Sequence, residues 1–171
     1  DIGSGPGFFT LLACQLGAAR VYAIEPDDAI EIGRESARRH ADGERIVWLR
    51  GFSTEIDLPE RVDVVIGDLH GTLPFYTGNI SSLIDARRRY LKPGGVMILS
   101  TLNRTLKAYA LAIVGAEYIL RWLPVGTHQW ERFVKPEELA SALSAAGLKL
   151  TGTEGLIYDP FADEWRLSPD T

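Results

Sequence analysis

The residues most able to do chemistry stand at the start of the chain, in Asp1-Ile2-Gly3-Ser4-Gly5-Pro6-Gly7. A glycine-rich turn that leads from a strand end into a helix lets the backbone approach a ligand closely, and the helix start adds unpaired N–H groups. One element later an acid, Glu25, ends the β-branched run Arg20–Ile24 and is placed to accept hydrogen bonds from a ligand's hydroxyls. Proton acceptors near neutral pH are few: His40, His70 and His128 are the only histidines. A single cysteine, Cys14, excludes a disulfide framework and a thiolate zinc cluster.

The glycine spacing is G-x-G-x-G, not the G-x-G-x-x-G of dinucleotide loops. Together with Asp1 before the loop and Glu25 after it, this spacing points to S-adenosylmethionine and away from NAD. Asp1 would face the cationic amino-acid end of that cofactor, Gly3, Gly5 and Gly7 would let it approach, and Glu25 would hold both ribose hydroxyls.

These residues must be positioned by alternating strands and helices, the sequence form of a parallel α/β sheet. Gly7–Leu16 reads as a buried first helix, Asp27–Arg39 as a second, and Ser81–Leu91 as a third. Arg20–Ile24, Arg45–Leu49, Asp63–Ile66 and Val96–Leu99 read as strands, with Lys92-Pro93-Gly94-Gly95 as the turn that stops the third helix. Leu106–Leu123 is apolar almost all round a helical projection. Pro136–Ala146 is a helix bounded by proline and Gly147. Lys149–Thr153 and Glu164–Leu167 suit an antiparallel closing pair.

Composition narrows the classes further. With 46% hydrophobic residues, 18 basic against 23 acidic side chains and a net charge of −5, the 171 residues suit one globular domain and argue against nucleic-acid binding. No run approaches the roughly 18 apolar residues of a membrane-spanning helix, and no secretory signal opens the chain, so a cytoplasmic location is expected.

DIGSGPG, VYAIEP, VDVVIGD and LKPGG, in that order, resemble the motifs of class I S-adenosylmethionine-dependent methyltransferases, over nearly the whole chain. Residues 1–98 are similar to protein arginine methyltransferases and their bacterial relatives. Residues 100–171, through STLNR, VGAEYILR and GTH, resemble the ubiquinone-biosynthesis O-methyltransferases that act on polyprenyl phenols. The resemblance implies a Rossmann-like α/β sheet, mostly parallel with an antiparallel closing strand, in a single domain spanning 1–171 with a helical insert at 103–130. Only Asp1 and Ile2 stand where a central first strand is expected, so the residues read as an N-terminally truncated piece of a longer chain.

The same resemblance implies an enzyme with S-adenosyl-L-methionine as cofactor and a small phenolic acceptor. Protein or small-amine N-methylation is the alternative, and a cofactor-binding module without activity the third reading. Arginine enzymes carry two glutamates after the fourth strand, whereas this chain has Asp68 and Thr77. The quinone enzymes have a Glu-rich, His-containing segment there that is associated with a divalent metal; this chain has DLHGT, so no metal site is carried over. Ser53 and Thr54 fall where class I enzymes contact adenine, and Asp68 where the cofactor's amino group is met.

A phenol, with an ordinary pKa near 10, benefits from a general base. His70, in the acceptor loop, and His128, in the GTH segment, are the candidates, while His40 reads as a solvated helix end. Cys14 reads as core filler and Arg87-Arg88-Arg89 as a solvated face. Leu106–Leu123, flanked by Arg104, Lys107 and Arg121, suits either a lid or peripheral contact with the inner membrane face.

Overall fold

The computed structural model describes residues 1–41, 43–67, 79–159 and 164–168. They fall into two compact units: one holds the described residues up to Ser100, the other those from Thr101 onward.

In the first unit β1 (Val21–Glu25) pairs in parallel with β2 (Ile46–Arg50), and β3 (Val62–Gly67) in parallel with β4 (Leu91–Leu99). Ile2 joins the two ladders: it bridges Ile24 on one side and Gly67 on the other, both in parallel sense. The sheet order is therefore β2-β1-Ile2-β3-β4, with Ile2 at the central position where the first strand is expected. All five residues of β1 are buried, as in a strand covered on both faces. Val21 and Ala23 pack with Cys14 of α1 (Phe8–Gln15), Ala37 of α2 (Ala29–Ala37) and Ile46. Ile24 instead joins Ile2, Val65 and Leu91 with Ala86 and Tyr90 at the end of α3 (Asn79–Arg89). Alternation along one strand thus feeds two cores.

Three readings of local pattern are corrected here. α1 is not buried throughout: Thr10 and Cys14, one turn apart, face the core, while Phe8 and Leu16 stand exposed. Lys92–Gly95 is not a turn ahead of a strand but lies within β4, as an irregularity in the ladder: pairing jumps from Val62↔Leu91 to Val64↔Val96. Glycine permits this, because Gly94 has φ 78° and a Cβ on Gly95 would lie 2.9 Å from the Asp63 carbonyl oxygen. Arg89 is not part of a solvated run, because it is tied to four neighbouring residues described below.

In the second unit the apolar segment begins as a short α-helical turn, α4 (Leu106–Ala108), whose Ala108 N–H is capped by the Thr105 hydroxyl at 3.1 Å. It continues as an 11-residue π-helix, Tyr109–Ile119. The wider i→i+5 pattern explains why a 3.6-residue projection scatters the apolar side chains. Only Ile113 and Glu117 of that helix are buried. Next, α5 (Pro136–Ala145) starts with proline in its first turn, and the Lys135 N–H donates to Glu138.

The closing pair is antiparallel, with β5 (Gly155–Asp159) against β6 (Glu164–Ser168). The first of these strands lies later than the Lys149–Thr153 pattern suggests. Pairing of Gly155 with Ser168 and Asp159 with Glu164 sets its limits, so the ladder overrides local propensity. Among the described residues no helix is long and apolar enough to cross a membrane.

Candidate active site

The glycine loop is built by three residues in the left-handed region: Gly3 (φ 69°), Gly5 (φ 51°) and Gly7 (φ 86°). This folds the chain back over the end of β1, where the N–H groups of Gly3 and Ser4 both donate to the Ile24 carbonyl at 2.9 and 3.1 Å. Glu25, the next residue of β1, is 8% exposed and spans the loop: Oε2 accepts from the Gly5 N–H at 2.8 Å and Oε1 from the Asp27 N–H at 2.9 Å. An ionised carboxylate has about four acceptor positions, so roughly two remain for a ligand. Asp1 accepts the Thr10 hydroxyl at 2.6 Å through Oδ2.

The glycines differ in what surrounds them. A Cβ on Gly5 would meet nothing within 4 Å, whereas one on Gly7 would lie 2.5 Å from the Trp48 indole. Gly33 of α2 is equally close to that ring. Gly7 therefore packs the loop against Trp48 and α2, while Gly5 leaves an open face. Ser4 is buried and its hydroxyl is the one buried side-chain polar atom among the described residues without a hydrogen-bond partner. An open glycine, an orphaned hydroxyl and spare carboxylate lone pairs, all at the carboxyl end of a parallel sheet, suit a polar nucleoside ligand.

The segment after β2, with Ser53 buried and Thr54 exposed, is held by two residues that sequence reasoning missed. Tyr90 donates its hydroxyl to the carbonyls of Ser53 and, at 2.6 Å, of Ile56. Arg89 donates to the same two carbonyls at 2.5 and 2.7 Å, to Asp57 at 3.0 Å, and by both Nε and Nη2 to Asp85 one turn back in α3. The Asp85 carboxylate is the main cause holding the guanidinium above its ordinary pKa. Burial is the main cause that raises the Tyr90 phenol. The signal available in sequence was an Asp at i−4 from the last arginine of the run, an ordinary helical ion-pair spacing.

The second unit contains a buried acid–imidazole pair. Glu117, 1% exposed, accepts the Gly126 N–H at 2.7 Å through Oε2, and through Oε1 both the His128 N–H and its ring Nδ1, each at 2.8 Å. Burial opposes ionisation of this carboxyl, but the two backbone N–H groups and the ring together outweigh it, so its pKa lies below the ordinary glutamate value. Phe133 meets the imidazole edge-on at 6.2 Å, Trp130 lies 5.7 Å from Phe133, and Tyr109 lies 5.4 Å from Trp130.

The structure thus brings Glu25, at the end of β1, against the loop that carries Asp1, Gly3, Gly5 and Gly7, and holds Ser53 and Thr54 on the segment after β2. Asp68 and His70 lie outside the described residues, as does Thr77. His40 caps the exposed end of α2, where its N–H bonds the Ala37 carbonyl at 3.0 Å. The profile of the methyltransferase domain family matches residues 1–152. The chain belongs to that family. This methyltransferase domain is 43% identical to the ubiquinone biosynthesis O-methyltransferase of Rhodopseudomonas palustris, over 99% of this chain and 65% of that protein. The chain therefore spans slightly under two thirds of the relative's length. The PRMT1 enzyme–prozyme heterotetrameric complex of Trypanosoma brucei with AdoHcy shares 26% identity and a TM-score of 0.53, over 57% of this chain and 31% of that one. A protein from Nostoc punctiforme, at 20% identity, superposes over 98% of this chain and 49% of that one with a TM-score of 0.62, a likeness of fold alone.

Proposed function

We propose that this methyltransferase domain works within an S-adenosylmethionine-dependent enzyme that O-methylates a polyprenyl phenol or catechol in ubiquinone biosynthesis. The observation that carries the reading is the similarity to an enzyme of that name across 99% of the chain, from the glycine loop through the insert. The family match across 1–152 supports reading those residues, insert included, as one domain.

The residues present fit the cofactor. Glu25 would take the ribose hydroxyls on its remaining lone pairs, Ser4 would find the partner it lacks, and Asp1 and Asp68 would face the amino-acid end. Ser53 and Thr54, on the loop gripped by Arg89 and Tyr90, would border the adenine. When bound, S-adenosylmethionine supplies a methyl group on a sulfonium, open to in-line displacement. The chain's task is then to orient an acceptor, exclude water and receive the acceptor's proton. His70 and His128 are the candidate bases.

The prenyl tail of such an acceptor sits in a bilayer, so peripheral membrane contact belongs to the same proposal. Leu106, Leu111, Ile119 and Trp122 are exposed and would enter the lipid. Arg104, Lys107 and Arg121 flank this apolar surface and would face the headgroups, Arg104 while paired with Glu138. Arginine-directed N-methylation is the second reading; it is favoured by the Trypanosoma brucei likeness, which covers 57% of the chain.

Incubating the full-length protein with methyl-labelled S-adenosylmethionine and either a prenylated catechol or an arginine-peptide panel tests both. An O-methylated catechol is the expected product, and labelled peptide alone would replace it with the second reading. Failure of the active protein to co-sediment with anionic vesicles would remove the membrane contact.

A further inference from the structure

We propose that Arg89 and Tyr90 are positioning residues for the cofactor's base: acting through the backbone of the segment after β2, they set which nucleobase that segment accepts. The inference rests on the S-adenosylmethionine reading above, and every residue in it belongs to the first unit.

Packing alone leaves much of the segment 52–57 unrestrained. Phe52, Thr54, Glu55 and Asp57 are exposed, while Ser53 is buried and Ile56 partly so. One turn bond lies within it, from the Glu55 N–H to the Phe52 carbonyl at 2.9 Å, and the Gly51 N–H ties its start to the Glu25 carbonyl at 3.1 Å. Further polar restraint comes from the end of α3 and the residue after it. The Ser53 and Ile56 carbonyls each take a donor from the Arg89 guanidinium and share the Tyr90 hydroxyl. That hydroxyl accepts in turn from Arg89 Nη2 at 3.2 Å, and the guanidinium carbon lies 4.8 Å from the Tyr90 ring centre. Asp85 fixes the guanidinium through Nε at 2.9 Å and Nη2 at 2.6 Å.

A clamp of this kind restrains orientation more than it adds stability. Withdrawing a guanidinium–carboxylate pair from water, even in part, offsets much of what its bonds return, and apolar side chains would stabilise the contact as well. What an apolar side chain cannot do is fix the rotation of a peptide plane. A planar fork of N–H donors on two carbonyls does so.

The fixed plane has a second end. In a trans peptide the C=O and N–H are opposed, so a Ser53 carbonyl turned to the clamp turns the Thr54 N–H to the opposite side. Among the described residues no group accepts from that N–H, and Thr54 is exposed. The segment thus offers an unclaimed donor of set direction just beyond β2, whose last residue, Arg50, pairs with Glu25. Adenine carries a ring nitrogen acceptor beside an amino donor; hypoxanthine carries a ring N–H beside a carbonyl. A fixed N–H meets an acceptor in the first base and another hydrogen in the second. Such discrimination is strong when the polar groups of a site are held still and weak when they can turn.

The test compares S-adenosylhomocysteine with its inosine counterpart, S-inosylhomocysteine, by titration calorimetry on the full-length protein. Wild type is expected to bind the adenine form at least about tenfold more tightly. Tyr90→Phe and Arg89→Met are each expected to weaken that form roughly tenfold and the inosine form by less than about threefold, so the ratio falls by at least about threefold. Arg88→Met, which removes the same charge from the exposed neighbouring position, should leave both affinities at wild-type values. A loss of folded protein alone scales both affinities equally and leaves their ratio in place. If Arg89→Met fails to fold, Tyr90→Phe, which deletes one hydroxyl from an otherwise unchanged ring, carries the test.

A wild type with no preference between the two bases, or clamp variants that keep the wild-type ratio, would overturn the positioning role while S-adenosylmethionine binding stood. A wild type that binds neither compound would overturn the cofactor reading, and this inference with it.

Discussion

Replacing Glu25 by alanine should damage both stability and cofactor affinity, and the structure sets the scale. Its two carboxylate oxygens each hold one loop N–H, that of Gly5 at 2.8 Å and that of Asp27 at 2.9 Å, at a position only 8% exposed. Hydrogen bonds to a charged group contribute about 1.5–3 kcal/mol each. Water entering the space left behind recovers part of that, so the expected loss is about 2–4 kcal/mol, a large share of the roughly 5–15 kcal/mol that holds a domain folded. The ribose loses the same acceptor. Even at about 1.5 kcal/mol per hydroxyl, two lost bonds weaken binding by more than about a hundredfold, since about 1.4 kcal/mol is tenfold. Urea unfolding followed by the near-ultraviolet signal measures the first effect, and titration calorimetry with S-adenosylhomocysteine the second. A variant with the wild-type urea midpoint and a Kd within about threefold of wild type would refute the reasoning about the loop and its acid together.

Three other perturbations follow from particular contacts. Gly33→Ala would set a Cβ 2.5 Å from the Trp48 ring and 3.0 Å from the Pro6 carbonyl, an overpacking cost of about 1–3 kcal/mol; adding Trp48→Leu should return part of it in a thermal-melt double-mutant cycle. Arg89→Met keeps the alkyl stem but removes one of the two donors, the other being Tyr90, from each of the Ser53 and Ile56 carbonyls and takes the guanidinium from Asp85, so a loss of about 1–3 kcal/mol in urea is expected, together with weaker cofactor binding. Glu117 has a depressed pKa when folded, so its contribution is complete above the ordinary glutamate value near 4.3 and declines as pH falls through the folded value. The stability difference between wild type and Glu117→Gln should therefore shrink on acidification below about pH 4.3, and a difference that held constant or grew would contradict the assignment.

Much of the fold was legible because its signals are local. DIGSGPG requires left-handed backbone at glycine, and the structure has Gly3, Gly5 and Gly7 there. VYAIE and VDVVIG are β-rich runs of strand length, and both became parallel strands within a residue or two of their expected limits. Proline before Glu137 and Glu138 marked the start of α5 for the same reason: a missing N–H costs nothing in a first helical turn. The acid at the end of β1 was also visible, since strand-end acids next to a glycine loop have few structural reasons to be there.

The rest depended on partners distant in sequence. Lys92–Gly95 looks like a turn in isolation and becomes part of β4 only because β3 lies alongside to accept the irregular pairing. The Leu106–Leu123 pattern gives no preference between α and π hydrogen bonding; that is decided in the folded unit, where Glu117 turns inward to the N–H groups of Gly126 and His128. Arg89 looked like one of three equivalent arginines until Asp85 and the carbonyls of the 53–56 segment selected it. Side-chain type and spacing determined which backbone shapes the chain adopts and which residues can bear a charge or a proton. Which of those residues are partnered, and by what, was decided by tertiary packing, because burial converts a weak solvated interaction into one that must be satisfied.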